Sequence, residues 1–154
     1  MLGVTNNEYP PVGFYFKVVL AVSGGLCDTS FKSVSGISSE IETEEVTEGG
    51  ENGFKLLLPK KVKHPRLVLK RGIADITSPL VIWCKSVLET EFITAIIPMP
   101  LLTYLMDEKG IPLRAWSFSN AYPVKWEVDA FDSMKNNVAI ETIELAYNSV
   151  NRLL

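Results

Sequence analysis

The sequence contains few of the residues from which enzyme and metal sites are built. Among its 154 residues are one histidine, His64, and two cysteines, Cys27 and Cys84. A zinc site takes about four ligands, mostly cysteine and histidine, and a catalytic serine needs a histidine beside it as its base. The sequence also has no Gly-x-Ser-x-Gly motif and no phosphate-binding loop. We therefore predict that the chain is not an enzyme, with no catalytic residue, metal site or cofactor.

Long apolar runs and a strong charge of either sign are also missing. The longest apolar stretch, 92–106, is shorter than a membrane helix of ~20 residues and contains two prolines. It predicts two strands with a proline-kinked connection rather than stable membrane insertion. A net charge of −3 gives no general reason to expect binding to nucleic acid or anionic lipid. Residues 1–13 have neither a basic leader nor an apolar segment, so we predict no signal peptide.

The composition is that of one globular domain. Hydrophobic residues make up 47% of the chain and charged residues 21%, which is enough to bury a core. The length corresponds to a single domain, 1–154. Two cysteines far apart in the sequence do not form a disulfide framework, so we predict reduced thiols with at least one of them buried.

Alternation of apolar and polar residues with a period of two predicts strands along most of the chain. The pattern is clear at 13–22, at 66–71 and at 138–147, where Glu141, Ile143, Leu145 and Tyr147 share one register. Further strands are predicted as follows: one or two polar strands over 31–46 with a bend at Gly36, a strand ending at Pro59, a hairpin of 101–106 and 111–119, and a strand at 122–128.

One helix is predicted at about residues 79–89. Ser78 is a suitable N-cap, and Pro79 occupies the first helical position, where proline is tolerated. Its apolar residues form one stripe: Leu80, Trp83, Cys84, Val87 and Leu88. Many short strands around a single helix indicate a mainly β fold, an antiparallel β-barrel or sandwich with the helix packed on it.

The charges are divided between two neighbouring segments. Residues 40–51 contain six glutamates and no basic residue, and 55–71 contain seven of the 15 basic residues and no acid. These segments are either solvated faces of one monomer or complementary surfaces on different copies, which would build head-to-tail contacts. The second interpretation gives a candidate interface: Glu42, Glu44, Glu45, Glu48, Gly49, Gly50, Glu51, Asn52, Lys60, Lys61, Arg66, Lys70 and Arg71. The basic segment lacks interleaved aromatics, so specific nucleic-acid recognition is not expected.

Several segments also resemble a known family in the same order along nearly the whole chain. They are YPPVGFYFKV, VSG with EEVTEGGEN, LVLKRG, SPLVIWC and NAYPVKWE. Together they resemble the tail tube proteins of contractile phage tails and of related bacterial contractile injection systems, whose fold is hemolysin-coregulated-protein-like. The resemblance implies an N-terminal arm at 1–10 and an extended acidic loop at 40–53.

The resemblance also implies a function in assembly. Such proteins form homohexameric rings that stack into a hollow tube, which is propelled by contraction of a sheath and delivers cargo. The implied partners are further copies of the chain, the sheath protein, the baseplate or spike, tube-capping proteins and lumenal cargo. Assembly is expected in the cytoplasm of the producing cell, followed by incorporation into a phage tail or an extracellular particle. Two alternatives stay open: a tube-initiating or spike-adaptor paralogue, and a monomeric β-barrel carrier of a small ligand.

Overall fold

The protein is mainly β, with one helix in the part of the chain that the structure describes. The computed structural model describes residues 13–21, 26–47, 55–74, 76–89, 96–129 and 139–154. The elements are β1 (Tyr15–Leu20), β2 (Leu26–Phe31), β3 (Ser33–Ser35), β4 (Glu40–Thr47), β5 (Lys55–Lys63), β6 (Leu67–Gly72), α1 (Pro79–Leu88), β7 (Met99–Met106), β8 (Pro112–Val128), β9 (Ile140–Ala146) and β10 (Ser149–Arg152). The predicted N-terminal arm lies outside the described residues.

The main sheet is antiparallel and closes on itself. Its strand order is β2-β1-β7-β8-β9-β6-β3, and β10 pairs with β8 beside β9. Only Lys32 separates β2 from β3, and its backbone N–H donates to the carbonyl of Lys70 on β6 at 2.9 Å. One bent segment therefore belongs to both ends of the sheet, which gives the barrel-like fold that the sequence predicted.

The core lies inside this closed sheet, between the strands and α1. Its fully buried members follow the predicted period of two on several strands: Val18 on β1, Leu67 and Leu69 on β6, and Ile143 and Leu145 on β9. Phe31, Leu101 and Phe118 are also completely buried. Helix α1 packs on β8 and β2. The alternation therefore predicted the inner faces of β1, β6 and β9 correctly.

The helix begins where the sequence predicted. Pro79 is the first helical residue, and the Ser78 side-chain oxygen accepts a hydrogen bond from the N–H of Val81 at 3.4 Å. Trp83 and Cys84 are buried as predicted. The predicted stripe is wrong at Leu88, which is exposed, and it omitted Val81, which is buried. The last turn is less fully covered, with Val87 partly buried against the core.

Three strand predictions need correction. Strand β8 runs unbroken from Pro112 to Val128, although the sequence suggested a break near Asn120. Asn120 adopts a left-handed φ of +51°, which asparagine tolerates and which bends the strand without ending it. Strand β5 continues through Pro59, which its place in a two-stranded sheet permits. Strand β10 was not predicted, since its four residues are too short and too polar for a clear pattern.

None of the described helices is long and apolar enough to span a membrane. The two cysteines are free thiols, with Cys27 exposed and Cys84 buried. This agrees with the prediction of at least one buried thiol.

Candidate assembly surface

The acidic and basic segments of the sequence lie side by side in one β-hairpin. Strands β4 and β5 form a two-stranded antiparallel sheet that is separate from the main sheet, and they are called the hairpin below. Glu40 lies opposite Lys63, and Ile41 lies opposite Val62. The expectation that these charges lie on separate surfaces is therefore wrong for this part of the chain, because antiparallel pairing brings them together within one molecule.

The predicted acidic loop is also corrected by this hairpin. Residues 40–47 form strand β4 rather than a loop. The remaining members of the predicted loop, Glu48, Gly49, Gly50, Glu51 and Asn52, lie outside the described residues.

One face of the hairpin carries paired charges. The Nζ of Lys60 lies 3.7 Å from a carboxylate oxygen of Glu44, and the Nζ of Lys61 lies 3.8 Å from one of Glu42. Lys63 also contacts the Glu42 carboxylate. The hydrogen bond from Lys63 lowers the pKa of Glu42, and the same contact raises the pKa of Lys63. These pairs are exposed, so they fix the cross-strand register more than they stabilise the fold.

The opposite face of the hairpin carries exposed apolar side chains, together with Thr43 and Glu45. Cross-strand partners share a face, so Ile41 lies beside Val62, and Leu57, opposite Glu45, lies on the same face four residues further along β4. The exposed fractions of Ile41, Val62 and Leu57 are 56%, 53% and 61% respectively. A two-stranded hairpin is only marginally stable in water, and contiguous exposed apolar side chains usually mark an interaction site. We call these three residues the apolar face of the hairpin.

The hairpin also has unpaired backbone edges. In the described part of the chain, β4 pairs only with β5, and β5 pairs only with β4. Each strand therefore presents one row of backbone N–H and C=O groups that another strand could bind. Such an edge suits association by strand addition.

The remaining predicted basic residues are divided between surface and core. Arg66 is exposed, and its Nη1 donates to Glu144 at 3.1 Å. Lys70 is exposed on the outer face of β6. Arg71 is buried, and its Nε donates to the carboxylate of Glu141 at 3.0 Å. The assignment of Arg71 to an exposed interface is therefore wrong.

The position of Arg71 has a simple physical cause. It lies two residues after Leu69 and therefore points into the barrel with it. Its Nη2 donates to Ser78 at 2.8 Å, and its guanidinium lies 4.4 Å from the centre of the Phe31 ring. The alternation of 67, 69 and 71, matched by that of Glu141, 143 and 145, was the sequence signal for this buried pair. The sequence analysis also did not predict the apolar face of the hairpin. The signal for it was the presence of Leu57 and Val62 within the basic segment 55–71.

These features define a class of protein, a closed antiparallel sheet with one packed helix and a projecting hairpin. The family model described as T4-like virus tail tube protein gp19 matches residues 12–151. The chain belongs to this family. It is a tail tube protein of a contractile injection system or phage tail, as the sequence resemblance predicted. The matches do not favour the alternatives of an adaptor paralogue or a small-ligand carrier.

Solved structures agree with this assignment. A chain in the baseplate of the anti-feeding prophage is 31% identical over 95% of this chain and 97% of that one, with a TM-score of 0.77. A chain in the PVC sheath–tube complex of an extracellular contractile injection system is 23% identical over 99% of both chains, with a TM-score of 0.74. Hcp1 from Flavobacterium johnsoniae shares the fold, with a TM-score of 0.52. It is 14% identical over 90% of this chain and 94% of that one. A comparison with curated protein sequences gives no significant match.

Proposed function

We propose that the protein assembles into hexameric rings that stack into a hollow tube, and that the hairpin binds a neighbouring copy. The observation that carries this proposal is the apolar face of the hairpin, which no described part of the same chain covers. Similarity to a chain of a six-fold symmetrised baseplate and to one of a sheath–tube complex supports the ring and the tube.

The apolar face is large enough to contribute substantially to association. Full burial of a Val, Leu or Ile side chain stabilises by about 1.5–3 kcal/mol. Ile41, Leu57 and Val62 are all more than half exposed, so most of that stabilisation is available only through a partner. Because the same contact recurs at every copy in a closed ring, a moderate gain at each interface is sufficient.

Charged residues next to the apolar side chains would form the polar edge of the contact with a neighbouring copy. Protein interfaces typically have such an arrangement, with polar groups at the edge that remain partly hydrated. Glu45 is exposed on the face of its cross-strand partner Leu57, and Glu44, Lys60 and Lys61 are exposed on the charged face. The predicted interface role of 48–52 stays a prediction.

The tube is proposed to meet other components of a particle. The solved chains that this protein resembles come from a tube-terminating cap, a baseplate and a sheath–tube complex. We therefore propose a cap at one end of the tube, a baseplate or spike at the other, a sheath around it and cargo in its lumen. Assembly is proposed to occur in the cytoplasm of the producing cell, followed by incorporation into a phage tail or an extracellular particle.

Replacing the apolar face tests this proposal. The double variant Leu57→Thr with Val62→Thr keeps residues that favour strands but removes apolar surface. We expect its tube yield, counted by electron microscopy at high protein concentration and low ionic strength, to fall about tenfold, which corresponds to ~1.4 kcal/mol. The melting temperature of the subunit should remain nearly unchanged, because both side chains are exposed in the monomer.

A matched control separates the hairpin from exposed apolar residues in general. Ile111, before β8, is 56% exposed and Ile97, before β7, is 68% exposed, so the double variant Ile111→Thr with Ile97→Thr removes a similar amount of accessible apolar surface elsewhere. The control should assemble as the unsubstituted protein does. Normal tube yield in the hairpin variant, an equal loss in the control, or a wild-type protein that remains a monomer would each contradict the proposal.

A further inference from the structure

The direction of the hairpin relative to the barrel is set by a small group of contacts at its base. Two segments, 36–39 and 64–66, connect the hairpin to the main sheet, and we call them the neck. Among the described residues, β4 and β5 contact each other extensively, and no other element contacts either of them to a comparable extent. The neck therefore decides where the hairpin points.

The two segments of the neck are in direct backbone contact. Gly36 has a φ of +88°, and a Cβ added to it would lie 1.9 Å from the carbonyl oxygen of Arg66. Only glycine accommodates both the left-handed backbone and this close approach. A side chain at this position would push the two segments apart, so glycine is what permits their close approach.

Tyr147 connects the neck to the core. Its hydroxyl donates to the carbonyl oxygen of Gly36 at 2.8 Å and lies 3.3 Å from that of Ser38. Its ring is buried and packs edge-on against Phe118, with 4.9 Å between the ring centres. Burial raises the pKa of Tyr147, so the hydroxyl remains a neutral donor at ordinary pH. One end of this side chain is thus fixed in the barrel and the other holds the neck.

His64 connects the two segments of the neck across their gap. Its Nδ1 lies 3.0 Å from the carbonyl oxygen of Ser38 and 3.3 Å from the hydroxyl of Ser39. Since a carbonyl oxygen only accepts, Nδ1 must carry the hydrogen. The imidazole also packs on Tyr147, with 5.0 Å between the ring centres. His64, the single histidine of the chain, is therefore used as a link in the neck.

We propose that Tyr147 and His64 lock the direction of the hairpin and thereby act as positioning residues for the association of subunits. The proposal rests on the proposed function, in which the hairpin binds a neighbouring copy. A ring closes only if every subunit presents its contact at the same angle, since errors at successive interfaces add up. A hairpin that is fixed before binding also loses less conformational entropy on association.

Distance measurements on the full-length monomer test the lock itself. Spin labels are attached at Thr43→Cys on β4 and Lys109→Cys in the β7–β8 turn, in a Cys27→Ser background that removes the exposed native thiol. We expect a narrow distance distribution in the otherwise unsubstituted chain. Tyr147→Phe, which removes only the hydroxyl, and His64→Leu, which removes the donor, should each widen it at least twofold.

Two further variants distinguish the lock from a general loss of stability. Tyr122→Phe removes a tyrosine hydroxyl that has no hydrogen-bond partner among the described residues, and the distribution should stay narrow. His64→Asn places an amide N–H near the position of Nδ1 and should restore the narrow distribution. If Tyr147→Phe and His64→Leu leave the distribution unchanged, the lock does not exist.

Tube yield, measured by electron microscopy on the same variants without labels, tests the positioning role. We expect Tyr147→Phe and His64→Leu to lower the yield about tenfold, and His64→Asn to recover it. A widened distribution with normal tubes would overturn the positioning role. Failure of the unsubstituted protein to form tubes, with its distance distribution still narrow, would contradict the proposed function while leaving the lock intact.

Discussion

At the scale of single residues, the most consequential feature is the ion pair inside the barrel. Arg71 and Glu141 are almost completely buried, and the second carboxylate oxygen of Glu141 accepts a hydrogen bond from the indole N–H of Trp126 at 2.8 Å. Through Ser78, the pair also reaches the N-terminus of α1. Two strands, the helix and an aromatic side chain therefore depend on one buried carboxylate.

Removal of this carboxylate should destabilise the fold severely. Glu141→Gln leaves the guanidinium of Arg71 buried without a counter-charge, and breaking a buried pair in this way costs about 3–5 kcal/mol. Urea unfolding measures the loss. The control Glu144→Gln breaks an exposed contact with Arg66 and should cost at most about 1 kcal/mol. Similar losses in the two variants would show that the buried pair has no special importance.

Thr103 offers a contrasting prediction, because its hydroxyl is buried on β7 without a hydrogen-bond partner among the described residues. An unsatisfied buried hydroxyl costs roughly 1–3 kcal/mol. Thr103→Val replaces the hydroxyl by a methyl group of similar size, so it should raise the free energy of unfolding by about 1 kcal/mol. Thr103→Ser keeps the hydroxyl and leaves a void, and it should lower stability. Thermal unfolding of both variants measures these changes in stability. A Thr103→Val variant less stable than the unsubstituted protein would contradict the prediction.

At the scale of elements, the hairpin differs from the other strands in what stabilises it. The strands of the main sheet bury one face, whereas the hairpin has exposed ion pairs on one face and exposed apolar residues on the other. Its cross-strand contacts are therefore sensitive to pH. The pKa of Glu42 is lowered below the ordinary 4.5 by the Lys63 hydrogen bond, and the pKa of Lys63 is raised above 10.5.

The sign of the pH effect follows from these two shifts. The lowered pKa of Glu42 means that its contribution is present above pH 4.5 and is lost as the pH falls through the lowered value. The raised pKa of Lys63 means that its contribution is present below pH 10.5 and is lost as the pH rises through the raised value. Between these limits the contact does not change with pH.

A titration checks the cause of the Glu42 shift. In Lys63→Gln the hydrogen bond from the ammonium group is gone, so the pKa of Glu42 should return towards 4.5. Nuclear magnetic resonance of the side-chain carboxyl carbon measures it. Lys60→Gln is the matched control, because the charge of Lys60 has the smallest effect on Glu42 among the three neighbouring lysines. Equal shifts in the two variants, or none, would refute the assignment.

At the scale of the whole molecule, the hairpin adds to a closed barrel a surface that the barrel does not use. The closed sheet has a core of its own among the described residues, formed by the inner faces of its strands and by α1. The monomer can therefore fold while the hairpin remains available for a partner. We therefore expect the subunit to fold without the contacts that the hairpin would make in the proposed assembly.

Charge reversal on the hairpin tests this expectation. Glu44→Lys with Glu45→Lys places new positive charges beside Lys60, on a strand that the barrel core does not need. We expect tube yield to fall about tenfold, ~1.4 kcal/mol, with little change in the unfolding temperature of the monomer. Glu89→Lys with Glu108→Lys changes the net charge equally at exposed sites outside the hairpin and should leave assembly normal. Unchanged tube length and yield in the first variant would remove the acidic strand from the assembly mechanism.

The sequence by itself determined the features that depend on neighbouring residues. The period of two placed Leu67, Leu69, Ile143 and Leu145 on inner faces, and Ser78 with Pro79 marked the start of α1, because side-chain direction and capping are local properties of the backbone. It also carried the family resemblance. Sequence patterns did not show which segments would pair.

Only the tertiary structure decided those pairings. It placed the acidic strand β4 against the basic strand β5 of the same chain, and it joined Arg71 to Glu141 across 70 residues. Whether a charged residue is exposed or paired in the core depends on which residues from distant parts of the sequence pack against it. A local sequence pattern does not contain that information. The same reason applies to the neck, where Tyr147 near the end of the chain holds Gly36 near its beginning.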